Sequence, residues 1–331
     1  MPLMRILLAA AIAVQVIPAL AQSPISIEVV GRPGEEAAAS AALVARHLAR
    51  QLGVAEIRVE NRTTRSAVDE LVEFSGHAPK DGSVLLLTPP MTALMRALEA
   101  PGADYEAARF GWVGALSRAP LTLAASWVTG FKTLADGRRR EMDVGALGDN
   151  SQSAWYPAII NSLTQTRFRV APNYRSDKEV DAAIQNSEIG GRLVGWSTLV
   201  FGQSDLFKDK KLGFLTRIGG EGVAELNAAP AFAEAISNPR DREIAALVSI
   251  DPSHGRSLAT PPGTPPEVVE RYRKAFAAMA GDPAFVAEAA AAHIEISPVD
   301  GAAVGKLVAE ELAASPDVLA RTRDAITGGV R

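Results

Sequence analysis

The chain contains no cysteine. Disulfide frameworks and thiolate metal sites are thereby excluded, and the composition suits an oxidising compartment. Histidine is nearly as scarce: His47, His77, His254 and His293 are scattered, and no two have the spacing of metal ligands. An excess of one charge is lacking too. Basic and acidic residues are interspersed and the net charge is −4, which argues against nucleic acid or an anionic membrane surface as the main partner. There is no G-x-S-x-G, no H-E-x-x-H and no P-loop, and Gly219-Gly220-Glu221-Gly222 does not follow the dinucleotide-binding pattern. A triad of Ser151, His254 and Asp149 is imaginable, but no spacing favours it. The chemistry-bearing motifs of enzymes are thus missing, and no cofactor is implied.

The one long apolar run is at the N-terminus. Arg5 precedes Ile6–Ile17, apolar apart from Gln15, and then come Pro18 and the small-x-small triplet Ala19-Leu20-Ala21. This is the order of a secretory signal peptide, and the run is too short and proline-broken for a membrane anchor. The expectation is a leader over residues 1–21, cleavage after Ala21, and an exported periplasmic protein.

What remains is long for one core, so two domains are expected of the 331 residues. The organising stretch is Ile25–Gly53. Ile25, Ile27 and Val29 alternate as in a strand, Gly31-Arg32-Pro33-Gly34 breaks the pattern, and Leu43, Leu48 and Leu52 recur at helical spacing. Such a strand–turn–helix aims free helix N–H groups at the strand's carboxyl end, where open α/β sheets bind ligands. Residues Gly31, Arg32, Pro33, Gly34 and Glu35 therefore read as one cleft wall, against the plainer reading of a capped turn.

Short strands at Ile57–Val59 and Ser83–Leu87 alternate with helices at Ser66–Gly76 and Met91–Leu98. This predicts a parallel sheet covered on both faces. A second run of alternation follows: strands at Trp112–Leu116, Leu121–Ser126, Met142–Leu147, Phe168–Ala171, Leu193–Ser197 and Leu212–Arg217, with helices near 154–164 and 178–186. After the proline-rich turn at 260–266 come helices at 267–280, from Asp282 and at 301–314, with a short strand at Ile294–Ile296. The helical tail needs a sheet, and the first is the expected host. The chain then crosses between lobes near Pro120 and Pro261, giving a hinge, with lobe 1 at 22–120 plus 261–331 and lobe 2 at 121–260.

Several marks occur together in order: Val29–Ala38 with Leu43-Val44-Ala45-Arg46, Val59-Glu60-Asn61-Arg62, Pro79–Leu87, Gly148–Ser153, Pro230–Ala235 and Pro262–Val269. On these the chain resembles the periplasmic solute receptors of tripartite tricarboxylate transporters, the Bug or TctC-like family, as a divergent member. The resemblance implies an α/β fold of the periplasmic-binding-protein type II-like kind, two α/β lobes with a ligand cleft between them. It implies a monomeric receptor and not an enzyme. Such a receptor binds a small organic solute, most simply a carboxylate, and delivers it to integral-membrane transporter subunits. Alternatives are an orphan periplasmic sensor for a membrane signalling protein and a periplasmic hydrolase.

The family's first loop has a second glycine and an aspartate where this chain has Glu35 and Ala38, and its next glycine-rich loop is Thr63-Thr64-Arg65-Ser66 here. By the same resemblance Thr88 and Pro89 occupy the second loop and Tyr174 matches a tyrosine after a strand. Asp149, Asn150, Ser151 and Gln152 offer donors at a helix start, or simply cap it. Trp196 and Ser197 end a predicted strand at the cleft wall, or belong to the core. Of the loop arginines Arg32, Arg62, Arg65, Arg118 and Arg175, Arg118 and Arg32 are the foremost candidates to grip a carboxylate. If the leader is cut as expected, the intact mass of protein recovered from the periplasm corresponds to a chain beginning at Gln22; a chain retaining Met1 would refute the leader.

Overall fold

The computed structural model describes residues 24–64, 66–202, 205–219 and 223–328. The expected leader, Arg65 and most of Gly219–Gly222 lie outside the described residues. In chain order the elements are β1 (Ile25–Val30), α1 (Glu36–Leu52), β2 (Ile57–Arg62), α2 (Ala67–His77), β3 (Val84–Leu87), α3 (Thr92–Ala97) and β4 (Gly111–Ala115). Then come β5 (Leu121–Ser126), α4 (Leu134–Arg139), β6 (Met142–Gly145), α5 (Gln152–Thr164), β7 (Phe168–Ala171), α6 (Asp177–Gln185), β8 (Gly191–Gly195), α7 (Trp196–Gly202), α8 (Asp205–Lys208) and β9 (Leu212–Ile218). The chain ends with α9 (Arg242–Val248), α10 (Asp251–His254), β10 (Ser257–Thr260), α11 (Pro266–Ala280), α12 (Pro283–Ala291), β11 (Val299–Asp300), α13 (Gly301–Leu312) and α14 (Pro316–Gly328).

Local chemistry sets many of these boundaries. Gly53, in the left-handed region at φ 68°, ends α1 by returning its N–H to the carbonyls of Ala49 and Arg50. Ser66 and Asp69 form a reciprocal capping box that starts α2. In β3 the period of two is visible in the packing. Leu85 and Leu87 join α1, α11 and α12 on one face, whereas Leu86 joins α2, α3 and α13 on the other. A strand buried on both faces needs this continuous apolar run.

Two sheets result. The first has the order β11-β4-β10-β3-β1-β2 and the second β7-β6-β8-β5-β9. In the first, β1, β2 and β3 are parallel, and β10 runs antiparallel between β3 and β4, pairing Leu258 with Leu87 and Ser257 with Ala115. In the second, β6 is parallel to β7 and β8, and β5 is antiparallel to β8 and β9. One hydrophobic core runs from Leu71 and Phe74 through Val304 and Ala325 to Trp155 and Ile159, so the lobes share a continuous apolar side.

Some expected elements differ. The strand Ser257–Thr260 carries too few residues to read as a strand beside a proline-rich turn, yet it sits inside the first sheet. The second crossing is accordingly formed by 252–256, ahead of Pro261: Ala119 N–H donates to Pro252 O at 2.8 Å and Leu116 N–H to Arg256 O at 3.0 Å. Ile294–Ile296 is not a strand; the bridge to β4 is made by Val299 and Asp300. The tail is also split. Helices α11 and α13 pack on β4, but α14 packs on α5 of the other lobe. Trp196 and Ser197 begin a helix and do not end a strand.

Packing of α13 on β4 depends on Gly301. A Cβ there would lie 2.3 Å from the Trp112 carbonyl oxygen and 2.5 Å from that of Val113, both backbone. Gly301→Ala is expected to cost about 1–3 kcal/mol, read as a lower urea midpoint. Gly305→Ala, one turn on, meets only Trp112 Cδ1 at 3.6 Å, and should be neutral or stabilising by up to roughly 1 kcal/mol through helix propensity.

Candidate functional site

The carboxyl ends of β1, β3 and β4 and the starts of β10 and β11 share one edge of the first sheet, as the pairings require. The carboxyl ends of β6, β7, β8 and β9 and the start of β5 share one edge of the second. The crossing at 116–120 joins these edges, and 252–256 leads into the start of β10. Glu36, Met91 and Gln152 bond to Arg256 or Asp251 in or beside the second crossing, and Arg118 lies on the first, whereas Tyr174 follows β7 and packs within the second lobe.

The first loop is closed on itself. Glu35 Oε2 accepts the Arg32 N–H at 2.8 Å, and Glu35 N–H donates to Arg32 O at 3.1 Å. Gly34, at φ 89°, has the left-handed backbone this turn requires. A Cβ on Gly31 would stand 3.3 Å from Glu35 Oε2. Arg32, Pro33, Gly34 and Glu35 are exposed, but Glu36 is buried. Its carboxylate accepts from Ser40 Oγ at 2.9 Å and from Arg256 Nε at 2.6 Å. The first helix therefore meets carboxylates of its own chain at the end where an anionic ligand would sit.

In the second loop Thr88 is buried, and both its N–H and its hydroxyl donate to Ser257 O, at 2.8 and 3.0 Å. Pro89 is buried, and its carbonyl accepts from Thr92 Oγ1. Thr88 is thus committed to β10. The Met91 N–H, at the start of α3, donates to Asp251 Oδ1 at 2.7 Å. Arg118 is exposed; its backbone N–H donates to Ser297 Oγ at 2.9 Å, and its guanidinium has no carboxylate within ion-pair distance among the described residues. Arg62, by contrast, is held by Glu28, Glu60 and Glu70.

On the second lobe, Asp149 and Asn150 are exposed at the start of α5. Ser151 Oγ donates to Gly148 O at 2.7 Å and meets Ser153 Oγ, which accepts the Leu147 N–H. Gln152 Nε2 donates to Asp251 Oδ2 at 3.0 Å. Tyr174 is half-buried against the Val180–Ile189 cluster, and burial raises its phenol. Trp196 is a core residue: its ring packs edge-on against Phe207 and Phe214 at 5.5 and 6.1 Å, and its backbone N–H donates to Pro120 O. Ser197 beside it is buried as well.

The junction also holds a buried polar cluster that the sequence pattern does not announce. Asp251 is 2 % exposed and Glu311 0 %. Glu311 meets His254 at 3.5 Å, and among the described residues both His254 ring nitrogens and both Glu311 oxygens lack hydrogen bonds. Burial lifts Asp251 to about 6, with the Glu311 charge adding to the effect, and lifts Glu311 to about 8; burial lowers His254. Beside the first loop, Glu295 is raised to about 7 by burial and by the charges of Glu36 and Glu225, the latter on the turn after β9. The cluster's one trace in the sequence is Asp251-Pro252, a helix-start pair. Among the described residues no group of three or more His, Asp or Glu is placed to hold a metal ion. The Ser151–His254–Asp149 triad is not assembled, since Ser151 bonds to Gly148 and His254 faces Glu311. A groove of about 270 Å³ between α1 and the start of β2, lined by Ala45, Ala49, Arg50 and Ile57, lies at the opposite end of the strands.

Two α/β lobes joined by paired crossings, with loops meeting at the strands' carboxyl ends, define the type II-like fold of periplasmic solute-binding proteins. Solved structures share it: a TctC solute-binding protein from Polaromonas has a TM-score of 0.67 at 16% identity, over 93% of this chain and 99% of that one. An adipate-bound protein from R. palustris gives 0.68 at 18%, over 91% and 97%, and MatC from Rhodopseudomonas palustris with bound malate gives 0.64 at 17%, over 92% and 99%. No protein-family model and no curated protein sequence matches the chain. No helix among the described residues is long and apolar enough to cross a membrane.

The buried carboxyls give stability a definite pH dependence. Their folded values lie above the unfolded 4.5 for Glu311 and Glu295 and 3.8 for Asp251. The folded chain therefore holds more protons, and stability falls as pH rises from the unfolded values through the folded ones. His254, lowered from 6.5, acts in the opposite sense below 6.5, so pH 6.5–8 isolates the carboxyls. Glu311→Gln is expected to raise the melting temperature at pH 8 more than at pH 5, since each tenfold difference in proton affinity between folded and unfolded chain is worth about 1.4 kcal/mol. Equal changes at both pH values would contradict a protonated Glu311.

Proposed function

We propose that the chain is an extracytoplasmic solute-binding receptor of a tripartite tricarboxylate-type transporter. It holds a small, carboxylated organic solute between the lobes and delivers it to membrane permease subunits. It works as a monomer in the periplasm after losing its leader, and it performs no chemistry on the solute. The division into lobes follows the sheets, with crossings at 116–120 and 252–256.

The observation that carries this reading is the gathering of loops 31–36, 88–91, 118 and 148–153 between two sheets of this fold. Solved proteins of the same fold hold malate and adipate. The first turn of α5 presents amide groups without intrahelical partners, and Arg118 is an exposed cation without a carboxylate partner among the described residues of the same junction. Together they form the anion-gripping side. Gly31, Arg32, Gly34, Glu35, Asp149, Asn150, Ser151, Gln152 and Tyr174 line the remainder. Trp196 and Ser197 support the wall from within, and Thr88 and Pro89 act through β10.

Closure of the Arg32 N–H by Glu35 favours a second reading on the same fold: a sensor or receptor whose solute is not a simple carboxylate. A panel of mono-, di- and tricarboxylates separates the two. A ligand at 100 times its Kd stabilises by about 2.7 kcal/mol, a clear rise in melting temperature. Arg118→Ala should weaken a responding carboxylate about tenfold or more, consistent with loss of a charged hydrogen bond. If no carboxylate raises the melting temperature, the carboxylate reading fails.

A further inference from the structure

We propose that Asp251 is an internal tether that couples the two lobes, standing between the helix starts that a solute would otherwise have to bring together. Its Oδ1 accepts the Met91 N–H at the start of α3, which packs on α13, itself packed on β4 of the first lobe. Its Oδ2 accepts Gln152 Nε2 at the start of α5, which packs on β7 and β8 of the second. One carboxylate thus joins residues 160 and 99 positions away in sequence. The bonds are charge-assisted, hence roughly twice as strong as neutral ones. With Asp251 almost wholly buried, losing either donor leaves one carboxylate oxygen desolvated without its hydrogen bond.

The surroundings make the tether sensitive to protons. Asp251 faces His254 on its own helix, Glu311 on α13, Tyr105 ahead of β4, and Tyr156 with Gln152 on α5. The tyrosine hydroxyls are engaged elsewhere, Tyr105 with Thr92 O and Tyr156 with Val248 O. Neither supplies Asp251 with a replacement donor. Among the described residues Gln152 is its only side-chain hydrogen-bond donor, and protonation of Asp251 weakens that link across the lobes.

The chain lacks cysteine, so two spin labels can be placed cleanly at the exposed Val128→Cys and Val286→Cys, one on each lobe. Pulsed dipolar distances are then measured without any solute, so the outcome is independent of the receptor reading. Gln152→Leu removes the donor, and Gln152→Glu sets two carboxylates against each other. Both should shift the inter-label distance outward by more than about 2 Å or broaden it to include such separations. Combining Asp251→Asn with Gln152→Glu reverses the donor and acceptor while leaving Met91 an oxygen, and should restore the original distribution. In the otherwise unaltered labelled chain, the distribution should widen as pH falls below about 6, and in Asp251→Asn it should not respond. Folded Gln152 variants with an unaltered distribution, or a double variant that fails to restore it, would overturn the tether.

Discussion

The structure depends on the insertion of β10 antiparallel between β3 and β4. Four residues, Ser257–Thr260, complete the first sheet, and their entry fixes everything just before them. Ser257 O takes both donors of Thr88, Arg256 reaches Glu36 under the first loop, and Asp251 meets the start of α3. The segment 252–256 is also one of the two crossings, bonded to 116–119. A strand pairing with neighbours on both sides has little freedom of register. That pairing turns a long return path into a defined junction.

At that junction the chain uses its own carboxylates where a solute receptor needs anion sites. Glu35 closes the Arg32 N–H, Glu36 pairs with Arg256, and Asp251 takes Met91 and Gln152. Helix starts favour negative charge whatever its source. The start of α5 has no side-chain cap, and Arg118 is exposed with no carboxylate partner among the described residues. The two glutamates in the first loop, where glycine and a more distant acid are usual in the family it resembles, have a structural meaning: one folds the turn, and the other anchors the helix to the crossing.

The burial of Asp251, His254 and Glu311 on the shared apolar side is the counterpart of this economy of donors. These groups cost free energy when charged: Glu311 favours its proton, His254 its neutral ring, and Asp251 is offset by the two donors it accepts from. The same continuous core that carries them binds α14 to α5. A C-terminal helix resting on the second lobe connects the two lobes along one side.

The local elements were legible because local patterns carry them. Leu85, Leu86 and Leu87 marked a strand buried on both faces, Val268 to Met279 a helix stripe, and Gly31–Gly34 a turn before a helix. The two α/β lobes followed from alternation alone. Errors fell where local pattern is weak: Trp196 and Ser197 are apolar and polar enough to extend a strand, but Pro120 and the aromatic cluster with Phe207 and Phe214 decide otherwise. Ser257–Thr260 is too short to announce itself, and its identity as a strand comes wholly from its neighbours. The sequence by itself determined two sheets, their covering helices and the loops at their carboxyl ends. Only the tertiary structure decided which donors stay open and which carboxylates are buried, because pairings such as Asp251 with Met91 and Gln152 join residues 99 to 160 positions apart, and no local periodicity encodes such a distance.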